Sequence, residues 1–121
     1  MQSETLERQG KRVPAIFYRT EAGRERLREW LKELPADDRK RIGEDIKTVE
    51  FGWPIGMAYC RPLRHGLWEV RSDLTGNRIA RVIFCISDGE MVLLHGFEKK
   101  TQKTPSQDIE LARMRKREID E

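Results

Sequence analysis

The first half of the chain carries apolar residues at the spacing of an α-helix. One stripe recurs at i, i+3, i+4 and i+7 and comprises Leu27, Trp30, Leu31 and Leu34. Thr20 is placed to cap the start of this helix, and Pro35 ends it. A second apolar stripe follows at Ile42, Ile46 and Val49. The pattern therefore predicts two antiparallel helices joined by a tight turn.

In the second half of the chain the apolar period changes to two, which is typical of β-strands. Trp68 and Val70 alternate with Glu69 and Arg71. Over residues 79–87 the apolar set Ala80, Val82, Phe84 and Ile86 alternates with Ile79, Arg81, Ile83 and Cys85. Asp88-Gly89 is a hairpin signal that leads into a further strand. These segments predict an antiparallel meander whose apolar face covers the helices. Because side chains alternate strictly, Arg71 and Arg81 are expected to lie together on the opposite face.

The two ends of the chain complete the predicted architecture. Residues 1–12 are polar and unpatterned, so we expect a flexible extension there. Val13 to Tyr18 is β-prone, and Pro14 predicts that this strand lies at an edge. Thr104-Pro105-Ser106-Gln107 has the residues of a capping box and predicts a C-terminal helix. The expected fold is α+β: one domain over residues 13–121, in which a strand and a helical hairpin pack on a small antiparallel meander.

Composition narrows the functional classes. The 121 residues suit a single domain, and 24 Lys and Arg against 21 Asp and Glu leave a net charge of +3. No apolar stretch reaches the length of a membrane span, and the N-terminus lacks an apolar export signal, so a cytoplasmic protein is expected. Cys60 and Cys85 are expected to be buried, reduced thiols. The Cys and His spacings match no zinc pattern, and no metal or other cofactor is expected.

Basic residues concentrate in two places. Five arginines fall between Arg61 and Arg81, opposed only by Glu69 and Asp73. After the last predicted strand the chain carries a second group of cationic or titratable residues, His95, Lys99, Lys100 and Lys103. A small sheet that brings the arginines near the lysines would bind a polyanion, and RNA phosphates fit this pattern best.

Three sequence motifs, in this order and spacing, resemble those of the RelE-type toxins of bacterial toxin–antitoxin pairs. The resemblance is more specifically to their HigB-like branch, which has phage-encoded members. The motifs are Arg61-Pro62-Leu63 with Gly66-Leu67-Trp68-Glu69-Val70-Arg71, then Arg78-Ile79-Ala80-Arg81-Val82-Ile83-Phe84, then the segment from His95 to Pro105. The resemblance covers residues 13 to 118. It implies an endoribonuclease that cuts messenger RNA, usually on the ribosome. It also implies a helix-turn-helix antitoxin that inhibits the toxin and gives the pair its binding to operator DNA.

The resemblance also implies roles for individual residues. Arg81 occupies the position of an arginine that contacts the scissile phosphate, and Arg71 aligns with a basic position on the preceding strand. Lys99, Lys100 and Lys103 fill the basic segment after the last strand, and Arg61 and Arg78 are further candidates for RNA contact. The chain departs from the pattern in two respects. Glu69 stands where the best-studied members have a basic residue, and no tyrosine follows Tyr59.

RNA cleavage without a metal requires a base for the 2′-hydroxyl, a cation for the phosphorane and an acid for the leaving oxygen. Arginine suits the role of the cation, because its planar guanidinium group binds two phosphate oxygens and stays protonated. Arg81, with Arg71 beside it, is the candidate for that role. His95, Glu69 and a lysine remain open as the base. Two other functions remain open as well: a binding module of a phage or mobile element that has lost cleavage, and a nucleic-acid-binding regulator.

Overall fold

A computed structural model describes residues 10–55, 59–99 and 104–120 of the chain. The helices are α1 (Arg26–Glu33), α2 (Ala36–Gly52) and α3 (Ser106–Asp120). The strands are β1 (Ala15–Phe17), β2 (Cys60–Pro62), β3 (Trp68–Leu74), β4 (Arg78–Ser87) and β5 (Glu90–Lys99). This is the α+β arrangement expected from the sequence. None of the helices in the described ranges is both long and apolar enough to cross a membrane.

The five strands form one mixed sheet in the order β1-β5-β4-β3-β2. Strands β2 to β5 are antiparallel neighbours, which confirms the predicted meander. β1 pairs with β5 in parallel at the edge of the sheet. The edge position agrees with Pro14, whose missing N–H cannot serve a central strand.

Left-handed residues close two of the hairpins. Asp88 and Gly89 have φ values of 51° and 75° between β4 and β5, which confirms the hairpin predicted there. His65 and Gly66, with φ values of 63° and 75°, make the turn between β2 and β3. At Asp88-Gly89, where the loop has only two residues, two positive φ angles match the right-handed twist of the flanking strands.

One face of the sheet packs against the α1–α2 hairpin. Its buried residues are those that the period-two pattern assigned to the apolar face, including Val70, Val82 and Phe84. The helical stripes contribute Leu27, Ile42, Ile46 and Val49. Trp53 closes this core after α2 with its ring edge-on to Trp68, 4.8 Å between centroids. The predicted pairing of the meander with the helices is therefore confirmed.

The other face packs against α3. Its buried cluster comprises Tyr18, Leu67, Ile83, Cys85, Val92, Leu94 and Ala112. The sheet is thus covered by helices on both sides, and the face that carries Arg71 and Arg81 is only partly open to solvent. Cys60 lies in the first core and Cys85 in the second, so the two thiols are free and buried as expected.

Both predicted helix caps are wrong in detail. Thr20 does not cap α1, which begins later at Arg26; its Oγ1 accepts a hydrogen bond from Arg24 N within the preceding loop. At the start of α3 the first carbonyl to accept a helical hydrogen bond is that of Pro105. The Thr104 hydroxyl donates instead to the Glu69 carboxylate. In each case the threonine hydroxyl forms its hydrogen bond with a residue outside the helix that it was predicted to cap.

Residues 1–9 of the predicted N-terminal extension lie outside the described residues. Residues 10–12 lie against α2. Arg12 N and Val13 N donate to Glu50 O at 2.8 and 3.2 Å, and Lys11 Nζ lies 3.2 Å from Glu50 Oε2. Glu50 Oε2 also accepts from Ala15 N at 2.6 Å, so one side chain of α2 holds the start of β1.

Candidate active site

The register of the sheet arranges the candidate residues in two neighbouring rows on the α3 face. Arg61 pairs with Glu69 across β2 and β3, and Glu69 pairs with Ile83, which pairs with His95. In the next row Arg71 pairs directly with Arg81. Arg71 and Arg81 therefore share one face of the sheet, as the alternation predicted.

A buried carboxylate stands at the centre of these rows. Glu69 is 1% exposed and accepts hydrogen bonds from the Arg81 guanidinium, from Arg61 Nε at 3.1 Å and from the Thr104 hydroxyl. Arg81 is 2% exposed, whereas the Arg61 side chain is 42% exposed. A carboxylate without water needs such donors, since burying an unpaired charge is very costly. Because three donors engage it, Glu69 fits the role of an organiser better than that of a base.

A cavity of about 600 Å³ lies beside this carboxylate, and we call it the Arg61 cavity. Arg61 and Thr104, which both bind Glu69, form part of its wall. The remaining wall combines apolar, cationic and titratable side chains: Pro62, Leu63, Arg64, His65, Ser106, Ile109 and Glu110. The cavity thus offers two guanidinium groups and two proton-transfer groups beside the first turn of α3.

Arg71 lies on the same face but is not buried with Arg81. Its side chain is 49% exposed, and its Nε donates to Asp73 Oδ1 at 3.3 Å. Exposed pairs of this kind are weak and readily exchanged for other partners. Arg71 therefore lies at the solvent-exposed end of the face that it shares with Arg81.

His95 lies apart from the Arg61 cavity. Its Nε2 is 2.7 Å from Asp108 Oδ1, and its ring stacks on Phe97 with 5.4 Å between centroids. Burial lowers the pKa of His95 below its ordinary value, although its hydrogen bond to the Asp108 carboxylate opposes this effect. The imidazole opens into a second cavity, between α1 and α3. The structure therefore does not bring His95 together with Arg61 in one cavity.

Arg78 lies on the hairpin face of the sheet, opposite Arg81. Its guanidinium lies 3.0 Å from Asp38 Oδ1 of α2 and 2.8 Å from Glu98 Oε1 of β5. Asp38 is 3% exposed at its side chain. Arg78 thus connects the sheet to the helical hairpin and lies on the opposite face of the sheet from Arg71 and Arg81.

The lysines after the last strand are only partly described. Lys99 ends β5, where its backbone pairs with Ile79. Lys100 and Lys103 lie outside the described residues. Over the described ranges no group of three or more His, Cys, Asp and Glu side chains is arranged to hold a metal ion.

The structure adds three residues that the sequence reasoning did not select for the site. His65 and Glu110 line the Arg61 cavity, and Thr104 joins α3 to Glu69. For His65 a signal was available, because the His65-Gly66 turn connects two strands that carry candidate arginines. For Thr104 the signal misled, since Thr before Pro also marks a helix start.

A comparison with family models finds one match. The model of phage-derived Gp49-like proteins (DUF891) matches residues 29–117, about three quarters of the chain. The matched range contains α2, the strands β2 to β5 and most of α3, and hence every residue of the Arg61 cavity. A search of curated proteins finds no match.

Proposed function

The chain belongs to the family of phage-derived Gp49-like proteins, a family of RelE- and HigB-type toxin-like proteins, and from this membership we propose that it is the toxin of a toxin–antitoxin pair. Its proposed activity is endoribonucleolytic cleavage of messenger RNA, on the ribosome. The observation that carries this proposal is the pairing of Arg61 with the buried Glu69 beside an open cavity. A cation held rigidly at a cavity wall is the element that phosphate chemistry requires.

In the proposed reaction the RNA 2′-hydroxyl attacks the adjacent phosphorus, and the 5′-oxygen of the next nucleotide leaves. The products are a 2′,3′-cyclic phosphate and a free 5′-hydroxyl. Arg61 binds the phosphate oxygens and offsets the charge of the phosphorane. Glu69 and Arg81 hold Arg61 in place. Arg81 itself does not bind the phosphate, because its side chain is too deeply buried to reach it in this arrangement. Arg71 contacts a neighbouring phosphate.

Two proton transfers accompany this displacement. His65 and Glu110 are the titratable groups of the Arg61 cavity, and they take the roles of base and acid. A histidine suits either role near neutral pH, because its unperturbed pKa is about 6.5. His95 is the weaker candidate, since it opens into a different cavity.

The proposed partner is a helix-turn-helix antitoxin that covers the Arg61 cavity. Arg61 and Arg64 are both on its wall, and carboxylates of an antitoxin would compete there with RNA phosphates. The pair, rather than the toxin alone, would bind operator DNA. A reading frame for a small helix-turn-helix protein next to the gene would support this part of the proposal.

Expression without an antitoxin tests the proposal. Wild-type chain should arrest growth and cut transcripts, and Arg61→Gln should relieve both while it leaves the fold intact. Loss of one aimed donor of this type costs about 10²–10³ in rate. Arg28→Gln is the matched control, since Arg28 is an exposed arginine on α1 that pairs with Glu25. If wild-type chain and Arg61→Gln are equally harmless and leave RNA intact, the proposed activity is wrong.

A binding module without cleavage is the second candidate. The observation that favours it is the exposure of Arg81, only 2%, at the position that the family resemblance assigns to phosphate contact. Such a protein would bind RNA or ribosomes with steep salt dependence and release no cleaved product. Binding and cleavage measured on the same RNA distinguish the two candidates.

A further inference from the structure

A second cavity lies on the other side of α3, and we call it the α1–α3 cavity. It measures about 310 Å³ and is lined by Arg26, Leu27, Trp30, His95, Gly96, Leu111 and Arg115. None of these residues lines the Arg61 cavity. Its volume lies at the lower limit of small-molecule sites, which begin at about 300 Å³.

Two arginines, Arg26 and Arg115, line this cavity. Over the described ranges no carboxylate oxygen lies within 4.0 Å of Arg26 or Arg115. Arg115 Nη1 donates to Leu94 O at 2.7 Å, and its guanidinium lies 5.3 Å from the Tyr18 ring centroid. Burial lowers the pKa of Arg115 and the neighbouring charge of Arg26 adds to this effect, whereas Tyr18 and Glu118 oppose it. Arg26 and Arg115 are therefore two like charges held near each other, which an anion would relieve.

The rest of the wall is apolar and closely fitted. Leu27 and Trp30 pack directly over Gly96, where a built Cβ would fall 2.4 Å from Leu27 Cδ1 and 2.7 Å from Trp30 Cζ3. The absence of a side chain at Gly96 lets α1 lie close to β5 and forms the floor of the cavity. Trp30 is only partly buried and provides an aromatic wall.

We infer that the α1–α3 cavity binds a nucleoside monophosphate unit, with its phosphate on Arg26 and Arg115 and its base against Trp30, Leu27 and Leu111. Planar guanidinium forks match phosphate oxygens, and bases stack on aromatic walls irrespective of sequence. Two positive charges also balance a phosphate better than they balance one carboxylate. The unit comes either from a free nucleotide or from an RNA strand; only the second source rests on the proposed function.

The two histidines of the chain provide a direct test, because each one lines a different cavity. Ring signals of His65 and His95 are followed by NMR, with His95→Gln to assign them. Adenosine 5′-monophosphate, adenosine, N-acetylglutamate and a short oligoribonucleotide are titrated separately into the full chain. We expect a saturable shift of the His95 signal with the monophosphate or the oligonucleotide. Adenosine, which lacks the phosphate, should leave that signal unchanged.

A matched pair of variants on one helix locates the anion. Arg26→Gln should weaken the binding reported by His95 by about tenfold or more, the loss expected for a charged hydrogen bond. Arg28→Gln removes the same charge two residues away, outside the cavity, and should leave that affinity unchanged within about twofold. A shift with both the mononucleotide and the oligonucleotide indicates a site open to free nucleotides. A shift with the oligonucleotide alone indicates a subsite for an RNA strand.

Three results would overturn the inference. They are a His95 signal that no phosphate ligand moves, an equal response to adenosine or N-acetylglutamate, and an unchanged affinity in Arg26→Gln. A response to N-acetylglutamate would indicate a docking site for an acidic protein segment instead. These results do not depend on toxicity. If the chain cleaves RNA but no ligand shifts the His95 signal, only the α1–α3 cavity is refuted as a binding site. If the chain is not toxic but its His95 signal responds, only the proposed toxin activity is refuted.

Discussion

Arg61 Nε lies 3.1 Å from Glu69 Oε1 across β2 and β3, so a half-exposed arginine on a cavity wall is held by a carboxylate that is 1% exposed. Glu69 also binds the buried Arg81 and the hydroxyl of Thr104. One side chain therefore connects three strands with the segment that leads into α3. Glu69 is therefore the side chain that connects the elements around the Arg61 cavity.

Glu69→Gln should destabilise the fold strongly. The amide keeps the size of the side chain but removes the negative charge to which the buried guanidinium of Arg81 donates. Removing one partner of a buried ion pair costs about 3–5 kcal/mol of unfolding free energy. Urea denaturation measures the change. The control is Asp73→Asn, which breaks an exposed pair with Arg71 and should cost at most about 1 kcal/mol. Equal losses in both variants would contradict the central role of Glu69.

Arg71→Gln should weaken RNA binding without affecting stability. Its side chain is half exposed and pairs only with an exposed carboxylate, so the unfolding free energy should change by less than about 0.5 kcal/mol. If Arg71 contacts a phosphate, the slope of log affinity against log salt concentration should decrease by about 1. Filter binding over a salt series measures this slope. An unchanged slope would remove Arg71 from the RNA interface.

Arg78→Gln should show the opposite behaviour. It breaks the contact between the sheet and the buried Asp38 of α2, and we expect a loss of about 1–2 kcal/mol, at the low end for charged hydrogen bonds. RNA cleavage by the folded variant should remain at the wild-type level. A variant of wild-type stability that no longer binds RNA would show instead that Arg78 contacts RNA, as expected from its place among the clustered arginines of the sequence.

Stability should depend on pH through His95. Burial lowers the pKa of His95 in the folded chain, whereas an unfolded histidine titrates near about 6.5. Between these two values the unfolded state binds more protons. The unfolding free energy therefore rises with pH up to about 6.5 and falls as the pH drops below it. Urea denaturation at several pH values measures this slope.

Three variants isolate the contribution of His95. His95→Gln should flatten the slope, and His65→Gln should leave it in place because His65 lies in the other cavity. Asp108→Asn removes the contact that opposes the effect of burial, so the pKa of His95 should fall further. A slope that survives in His95→Gln would assign it to other groups.

Gly96→Ala should destabilise the fold because the added methyl group meets Leu27 and Trp30 at 2.4 and 2.7 Å. Overpacking of this kind costs about 1–3 kcal/mol. Gly43→Ala is the control of opposite sign. Gly43 is exposed in α2 with open space around its Cα, and alanine there should stabilise the helix by up to about 1 kcal/mol. Thermal unfolding of the two variants should therefore shift in opposite directions.

The helices and strands of this chain were largely predictable because each has a local cause. The stripe from Leu27 to Leu34 and the alternation over residues 79–87 reflect the periods of a helix and a strand. The Asp88-Gly89 turn follows from the φ values that a short hairpin loop requires. The caps at Thr20 and Thr104 were not predictable in the same way, because a hydroxyl can equally well bind within a local loop, as Thr20 does, or bind a distant side chain, as Thr104 does.

The site was predictable only in part. Alternation along β3 and β4 placed Arg71 and Arg81 on one face. It could not show that the partner of Arg81 is Glu69, nor that α3 would cover part of that face. Likewise the basic segment from His95 onward suggested that His95 and the arginines form one site. In the structure His95 and Arg61 line different cavities on opposite sides of α3.

From its sequence alone the chain determined which segments are helices or strands, which face of each is apolar, and to which family it is similar. These properties depend on residues a few positions apart. The burial of Glu69, its contact with Thr104 and the division of the basic residues between two cavities were decided only in the tertiary structure. The physical reason is that such contacts join residues 35 positions apart, and many pairings of that kind are compatible with the same local pattern.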